Sequence, residues 1–109
     1  MSMVENLEAM LAAGQDNALL RFTLGSEYFK AGEVTAAARH LQEAVKLDPG
    51  YSAAWKIYGK VLQSLGDPGA ARKAFEAGIE AAAQKGDVQA AKEMRVFLRR
   101  IQKEIDASS

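Results

Sequence analysis

The chain has 109 residues, and its fourteen Lys and Arg residues balance fourteen Asp and Glu residues. It contains no cysteine and a single histidine. One small domain is therefore expected, and disulfide frameworks, thiolate metal sites and cysteine nucleophiles are excluded. Alanine supplies 21 of the residues whereas Val, Ile and Thr together supply twelve, so the composition predicts an all-α fold.

Glycine or proline interrupts the sequence at five places, and a residue suited to begin a helix stands beside each break. Five breaks predict six helices. Because the connections are short, consecutive helices are expected to pack antiparallel. The predicted ranges in chain order are 3–13, 17–31, 34–47, 51–65, 68–85 and 88–106.

A shift of 34 positions aligns the second and third predicted helices with the fourth and fifth. Residue size is conserved between the aligned pairs, which are Leu24 with Tyr58, Gly25 with Gly59, Tyr28 with Leu62, Ala37 with Ala71, Leu41 with Phe75, and Ala44 with Gly78. A glycine on the first helix lets the second helix approach closely, and large side chains fill the space around the contact. The alignment predicts two copies of one helix pair; two unrelated alanine-rich hairpins are the alternative.

These positions resemble the tetratricopeptide repeat, a 34-residue helix pair with a large residue, Leu-Gly, an aromatic, an alanine, a large apolar residue, a small residue and a final proline. Residues 18–51 carry most of this pattern, with Arg21 in place of the large aromatic residue. Residues 52–86 contain Trp55 but have Ala83 in place of the proline, which predicts a longer closing helix. The resemblance implies an α-solenoid, a stack of antiparallel helix hairpins in a right-handed superhelix.

The flanking segments are predicted to cap this stack. Residues 1–15 resemble the second helix of a preceding pair, and residues 87–109 align with the fourth helix on a shift of 36. That shift places Arg95 at the position of Gly59, so no further helix is expected to pack closely there. A single domain over residues 1–109 with a capping helix at each end is therefore expected.

The sequence does not predict an enzyme. Residues 66–69 lack the Lys-Ser/Thr of a phosphate-binding loop and indicate a turn. His40 lies in the middle of a helix, where a surface histidine is expected rather than a member of a Ser/His/Asp site. The carboxylates of Glu76 and Glu80 are expected to be solvated. We predict no catalytic residue, no metal site and no cofactor.

The resemblance implies that the first helix of each pair lines a concave groove in which partner peptides bind. Equivalent positions form three rows, which are Phe22, Lys56 and Lys92, then Ser26, Lys60 and Val96, then Phe29, Gln63 and Arg99. All of these except Val96 are the candidate binding residues. The groove would be aromatic at one end and basic at the other, so acidic side chains or a free C-terminal carboxylate of a partner protein are the expected ligands. The alternative is that the lysines serve solubility and the phenylalanines belong to the core.

Charge is divided unevenly along the chain. Residues 1–50 contain four basic and seven acidic residues, whereas residues 51–109 contain ten and seven. Such polarity suits self-association, including a homodimer, as well as binding of a foreign partner. The densest basic cluster is Arg95, Arg99, Arg100 and Lys103.

Only Phe97 lies beside this cluster to stack on a base, and that ring is expected to pack inward, so no nucleic acid is expected. Glu5 and Glu8 interrupt the opening residues, and no run of about 18 apolar residues occurs, so we expect a cytoplasmic protein without a membrane partner. The predicted function is a scaffold or adaptor that binds a partner protein. The alternative is a self-associating structural subunit.

Overall fold

The computed structural model describes residues 1–108, and within that range it contains six helices and no strand. The helices are α1 (Met3–Ala12), α2 (Ala18–Lys30), α3 (Val34–Leu47), α4 (Ser52–Ser64), α5 (Pro68–Lys85) and α6 (Val88–Ser108). The predicted all-α fold is confirmed, and every predicted helix end lies within two residues of the observed one. In the described part of the chain, no helix has the length and apolar character needed to cross a membrane.

Side-chain caps begin several of the helices. At α1, the Ser2 hydroxyl accepts a hydrogen bond from the Glu5 backbone N–H at 3.1 Å, and the Glu5 carboxylate accepts one from the Ser2 backbone N–H at 3.3 Å. The Asn17 side chain accepts the Leu20 N–H at 2.8 Å to begin α2. These bonds satisfy backbone groups that a helix leaves unpaired at its first turn, which explains why the boundaries follow the sequence closely.

The helices stack in chain order. α2 packs on α3, α4 packs on α5, and the two pairs meet where α3 contacts α4. α1 contacts α2, and α6 contacts both α5 and α4. The resulting body measures 44 × 31 × 19 Å. Because neighbouring helices contact each other and distant ones do not, the fold is the predicted helical stack.

A glycine faces a large buried side chain at the centre of each helix pair. A Cβ atom built on Gly25 would lie 2.5 Å from Leu41 Cγ, and one built on Gly59 would lie 2.5 Å from Phe75 Cε1. Both distances are shorter than non-bonded carbon atoms tolerate, so the two helices of each pair touch only because glycine lacks a side chain. The predicted alignment of these four positions is confirmed.

The closing helix of the second pair is longer than that of the first, as predicted. α3 has 14 residues and is followed by Pro49, whereas α5 has 18 residues and passes through Ala83 at the corresponding position. Since alanine continues a helix and proline does not, α5 continues to Lys85 and is capped by Gly86, whose φ of 72° is left-handed.

α6 attaches to this pair through an apolar stripe. Ala91, Met94 and Ile101 are buried in the same cluster as Phe75. The Phe97 ring stacks on Phe75 with 5.6 Å between ring centroids, so its predicted inward packing is confirmed. The opposite face of α6 remains exposed.

The prediction that His40 lies on the surface is wrong. Its side chain is almost wholly buried, and its ring stacks on Tyr28 at 5.5 Å. Arg21 Nη1 lies 3.1 Å from His40 Nδ1, and the same guanidinium makes two hydrogen bonds with Asp16 at 2.8 and 2.9 Å. Because a guanidinium can only donate, Nδ1 accepts and the proton of the neutral ring is assigned to Nε2.

Glu8 of α1 completes this polar cluster. Its Oε1 accepts a hydrogen bond from the Tyr28 hydroxyl at 2.8 Å and lies 3.3 Å from His40 Nε2, outside hydrogen-bond geometry. Burial lowers the pKa of His40; the Arg21 charge acts in the same direction, and the Glu8 charge opposes both. Partners from two other helices, α1 and α2, therefore surround the ring, and the position of His40 within its own helix does not reveal them.

Candidate functional site

The candidate binding residues lie on three helices that stand side by side, since α2 contacts α4 and α4 contacts α6. Each predicted row places one residue on each of these helices. The α2 residues are Phe22, Ser26 and Phe29, the α4 residues are Lys56, Lys60 and Gln63, and the α6 residues are Lys92 and Arg99.

The three α2 residues line one open cavity of about 370 Å³, to which α4 contributes Ile57. Phe22 and Phe29 are half-buried, so each ring packs on the core with one part and lines the cavity with another. The Ser26 hydroxyl is covered and has no hydrogen-bond partner among residues 1–108. The cavity is thus mainly apolar, the chemistry that holds an apolar side chain.

An ion pair borders this cavity. Lys30 Nζ lies 3.3 Å from Glu27 Oε1, and both residues belong to the lining. A charged border around an apolar centre is typical of protein interaction surfaces, in which the centre supplies most of the binding free energy.

Lys56 does not present a free cation. Its Nζ lies 2.9 Å from Glu93 Oε2, and Glu93 Oε1 also accepts a hydrogen bond from Gln89 at 3.3 Å. The Lys56 hydrogen bond, followed by that of Gln89, lowers the pKa of the Glu93 carboxyl. These side chains line an open cavity of about 240 Å³ between the first turns of α4 and α6.

Lys60 is positioned by an aromatic ring. Its Nζ lies 4.6 Å from the centroid of Phe97, and the Arg100 guanidinium lies 6.0 Å from the same centroid. A cation above a ring face is attracted by its electron density and keeps its charge. Lys60 therefore stays available to an anion but in a fixed position.

Gln63, Lys92 and Arg99 are exposed, and none of their side chains forms a hydrogen bond or ion pair with another residue of 1–108. Four cations are predicted to line the basic end. Lys56 is neutralised by Glu93, Lys60 contacts the Phe97 ring, and Lys92 and Arg99 are free of such contacts within residues 1–108. Most of the free positive charge of the site therefore lies on α6, and Lys60 is the contribution of α4.

Sequence reasoning missed Ile57 and Glu93. Both belong to a fourth row, because shifts of 34 and 36 positions carry Thr23 to Ile57 and then to Glu93. Thr23 and Ile57 line the apolar cavity, and Glu93 neutralises Lys56. Applying the same shifts one position further along would have found them.

The arrangement provides an apolar cavity and positive charge, which suits binding rather than a chemical step. Within the described residues, no three side chains among His, Asp and Glu come close enough to hold a metal ion.

Comparison with known proteins agrees with this architecture. The tetratricopeptide repeat family matches residues 22–86. The TPR repeat-containing protein PA0015 of Pseudomonas aeruginosa is 57% identical over 99 residues, which cover 91% of this chain and 94% of that protein. The solution structure of protein BPP2914 from Bordetella parapertussis is 52% identical with a TM-score of 0.81, covering 95% of this chain and 90% of that one. The Sgt2 TPR domain from Aspergillus fumigatus is 26% identical with a TM-score of 0.81, covering 96% and 67% respectively.

Proposed function

Because this chain belongs to the tetratricopeptide repeat family, whose fold generally mediates protein–protein interactions, we propose that it is a cytoplasmic scaffold or adaptor that holds a segment of a partner protein along α2, α4 and α6. The observation that carries this proposal is the apolar cavity of about 370 Å³ between α2 and α4. Free cations on α6 lie beyond it on the same row of helices.

The cavity would hold a large apolar side chain of the partner. Phe22, Phe29 and Ile57 offer it apolar surface from two helices. Removing such a side chain from water contributes about 1.5–3 kcal/mol, which makes it the anchor of the bound segment.

The basic end would select a segment with carboxylates, either acidic side chains or a free C-terminus. Lys60, Lys92 and Arg99 supply the charge, and Lys56 is excluded because Glu93 already neutralises it. Exposed charges are screened by salt, so this part of the binding weakens as ionic strength rises.

Binding of peptides selected from a random library tests the proposal. Peptides that bind the wild type should lose about tenfold or more in affinity for Ile57→Glu, because the new carboxylate would stand in the apolar cavity. Lys92→Glu/Arg99→Glu should weaken the acidic peptides alone. Leu65→Glu, an exposed change at the end of α4, is the matched control and should bind normally. If every variant is shown to be helical and all bind the peptides with equal affinity, the proposal that this face binds the partner is wrong.

A second candidate function, a self-associating subunit, is supported by one apolar patch. Met3, Met10 and Leu19 are all exposed at the α1 end, and Met10 and Leu19 line an open cavity of about 190 Å³ with Leu7. Apolar side chains grouped on a surface favour association. Light scattering should show a mass that grows with concentration and returns to the monomer in Met10→Glu/Leu19→Glu; a monomeric wild type at high concentration would rule this candidate out.

A further inference from the structure

The exposed face of α6 carries a row of cations, here called the basic stripe. Its members are Lys92, Arg95, Arg99, Arg100 and Lys103, and all of them are exposed. At 3.6 residues per turn they fall within a sector of about 140°. That sector lies opposite the buried residues Ala91, Met94 and Ile101, so the stripe points away from the core.

The part of the chain that the structure describes provides no ion-pair partner for these charges. None of the five cations forms an ion pair with another residue of 1–108. Several cations elsewhere in the chain do form ion pairs, among them Arg21 with Asp16, Lys30 with Glu27 and Lys46 with Glu43. The basic stripe is therefore a concentration of charge that an anionic partner would complement.

We infer that the basic stripe is a docking surface for an acidic helix of a partner protein. Lys92, Arg95, Arg99 and Lys103 follow one another at three, four and four residues, which corresponds to rises of about 4.5, 6 and 6 Å along α6. Glu or Asp residues spaced three or four positions apart on another helix repeat at the same interval. Val96, exposed within the stripe, offers an apolar contact to such a helix.

The stripe favours a narrow acidic helix over a phosphate backbone or a bilayer. Asp106 falls within the same sector and Glu104 borders it, so acidic side chains would repel a wide anionic surface, and the chain as a whole has no net charge. Phe97, the nearest ring, is half-buried and contacted by Lys60, so it offers no platform on which a base could stack. Val96 alone gives too little apolar surface for insertion into lipid.

This inference deepens the proposed function, because Lys92 and Arg99 belong to both surfaces. Arg95 and Lys103 belong to the stripe alone. Variants of these two residues therefore separate the stripe from the apolar cavity.

Fluorescence anisotropy with a labelled helical peptide tests the inference. The probe is an alanine-based peptide of about 20 residues with glutamates three and four positions apart on one face and a leucine among them. Its control has the same composition with the glutamates distributed around the helix. Arg95→Glu/Lys103→Glu is compared with Arg39→Glu/Lys73→Glu, which changes the net charge equally at exposed cations outside the stripe.

We expect the stripe variant to lose about tenfold or more in affinity for the patterned peptide, the control variant about twofold or less, and the redistributed peptide to bind several times more weakly. Equal losses in both variants, equal binding of both peptides, or no binding would overturn the inference. Tighter binding of a DNA duplex of about 20 base pairs, or of anionic vesicles, at about 0.15 M salt would also overturn it. Arg95 and Lys103 lie outside the candidate groove, so the outcome for their variant stays separate from that of the cavity experiment.

Discussion

The two central helix pairs share one packing contact and differ in the chemistry around it. In both, a glycine faces a large side chain, as Gly25 faces Leu41 and Gly59 faces Phe75. The 34-residue shift carries the polar trio Arg21, Tyr28 and His40 onto Trp55, Leu62 and Ala74. The first trio belongs to a partly buried polar cluster, whereas the second lines an open cavity of about 270 Å³ that is mostly apolar.

The contact between the two helices of a pair therefore constrains residue size at a few positions, whereas the polarity of the neighbouring positions can differ. α1 has no fully buried residue, and Glu8 ties it to the polar cluster through Tyr28. The second pair instead receives α6, which buries Met94 and Ile101. A side-chain hydrogen bond therefore helps to hold α1 at one end of the stack, whereas buried apolar side chains hold α6 at the other.

The largest expected effect tests the shared contact. Gly59→Leu should lower the free energy of unfolding by about 3 kcal/mol, because the new side chain would enter the space of the Phe75 ring. Gly69→Leu is the control, since the nearest atom to a Cβ there is 3.8 Å away. Urea unfolding measures both. Gly25→Leu should lower the free energy of unfolding by a similar amount. If Gly59→Leu or Gly25→Leu were tolerated, the two pairs would not share this packing contact.

A smaller effect is expected where α1 meets the polar cluster. Glu8→Ala should cost about 1–2 kcal/mol, because the Tyr28 hydroxyl loses its acceptor. Amide hydrogen exchange should accelerate across α1 and remain unchanged in α6. Glu76→Ala, two 34-residue shifts downstream and exposed, is the control. Unchanged exchange in α1 would mean that Glu8 does not hold it.

The buried histidine predicts a dependence on pH that only the first pair has. Burial lowers the pKa of folded His40 below its ordinary value of 6.5, so the unfolded chain binds the proton first as pH falls. Its contribution to stability is present above pH 6.5 and is lost as the pH decreases through the folded pKa. Urea unfolding at pH 7.5 and about 5.5 should show this loss, and His40→Ala, which copies Ala74, should reduce it. Greater stability at the lower pH would mean that the Glu8 charge outweighs burial.

The smallest effect concerns an exposed ion pair of the second helix pair. Arg72 Nε lies 3.9 Å from Glu76 Oε1, one helical turn away. Arg72→Ala should change the free energy of unfolding by about 0.5 kcal/mol or less, because water screens both charges. Thermal melts compare it with Arg21→Ala, which removes two bonds to Asp16 and should cost more. Equal losses of stability in Arg72→Ala and Arg21→Ala would show that the two ion pairs contribute equally.

Local chemistry made the helices and their close contacts predictable. Caps such as Asn17 and the proline after α3 act within a few residues of themselves, and the spacing of Gly25 and Gly59 follows from the repeat. The burial of His40 was not predictable in this way, because its partners come from two other helices, α1 and α2. The sequence offered one signal: the 34-residue shift aligns His40 with Ala74, a small residue that the structure shows to be buried.

The candidate site was less accessible to sequence reasoning. The rows place side chains on the correct helices, but pairing depends on how those side chains extend between helices. Lys56 meets Glu93, which is 37 residues away, only because α6 packs on α4. Lys60 is likewise positioned by Phe97. The division into two repeats with a cap at each end stays a prediction.

Arg95 stands on α6 where the shift of 36 residues places the glycine of the preceding pair. A long, charged side chain at that position keeps any neighbouring backbone several ångströms farther away than Gly59 keeps its own. A further helix that packs on α6 as closely as α5 packs on α4 would therefore require a small residue at position 95.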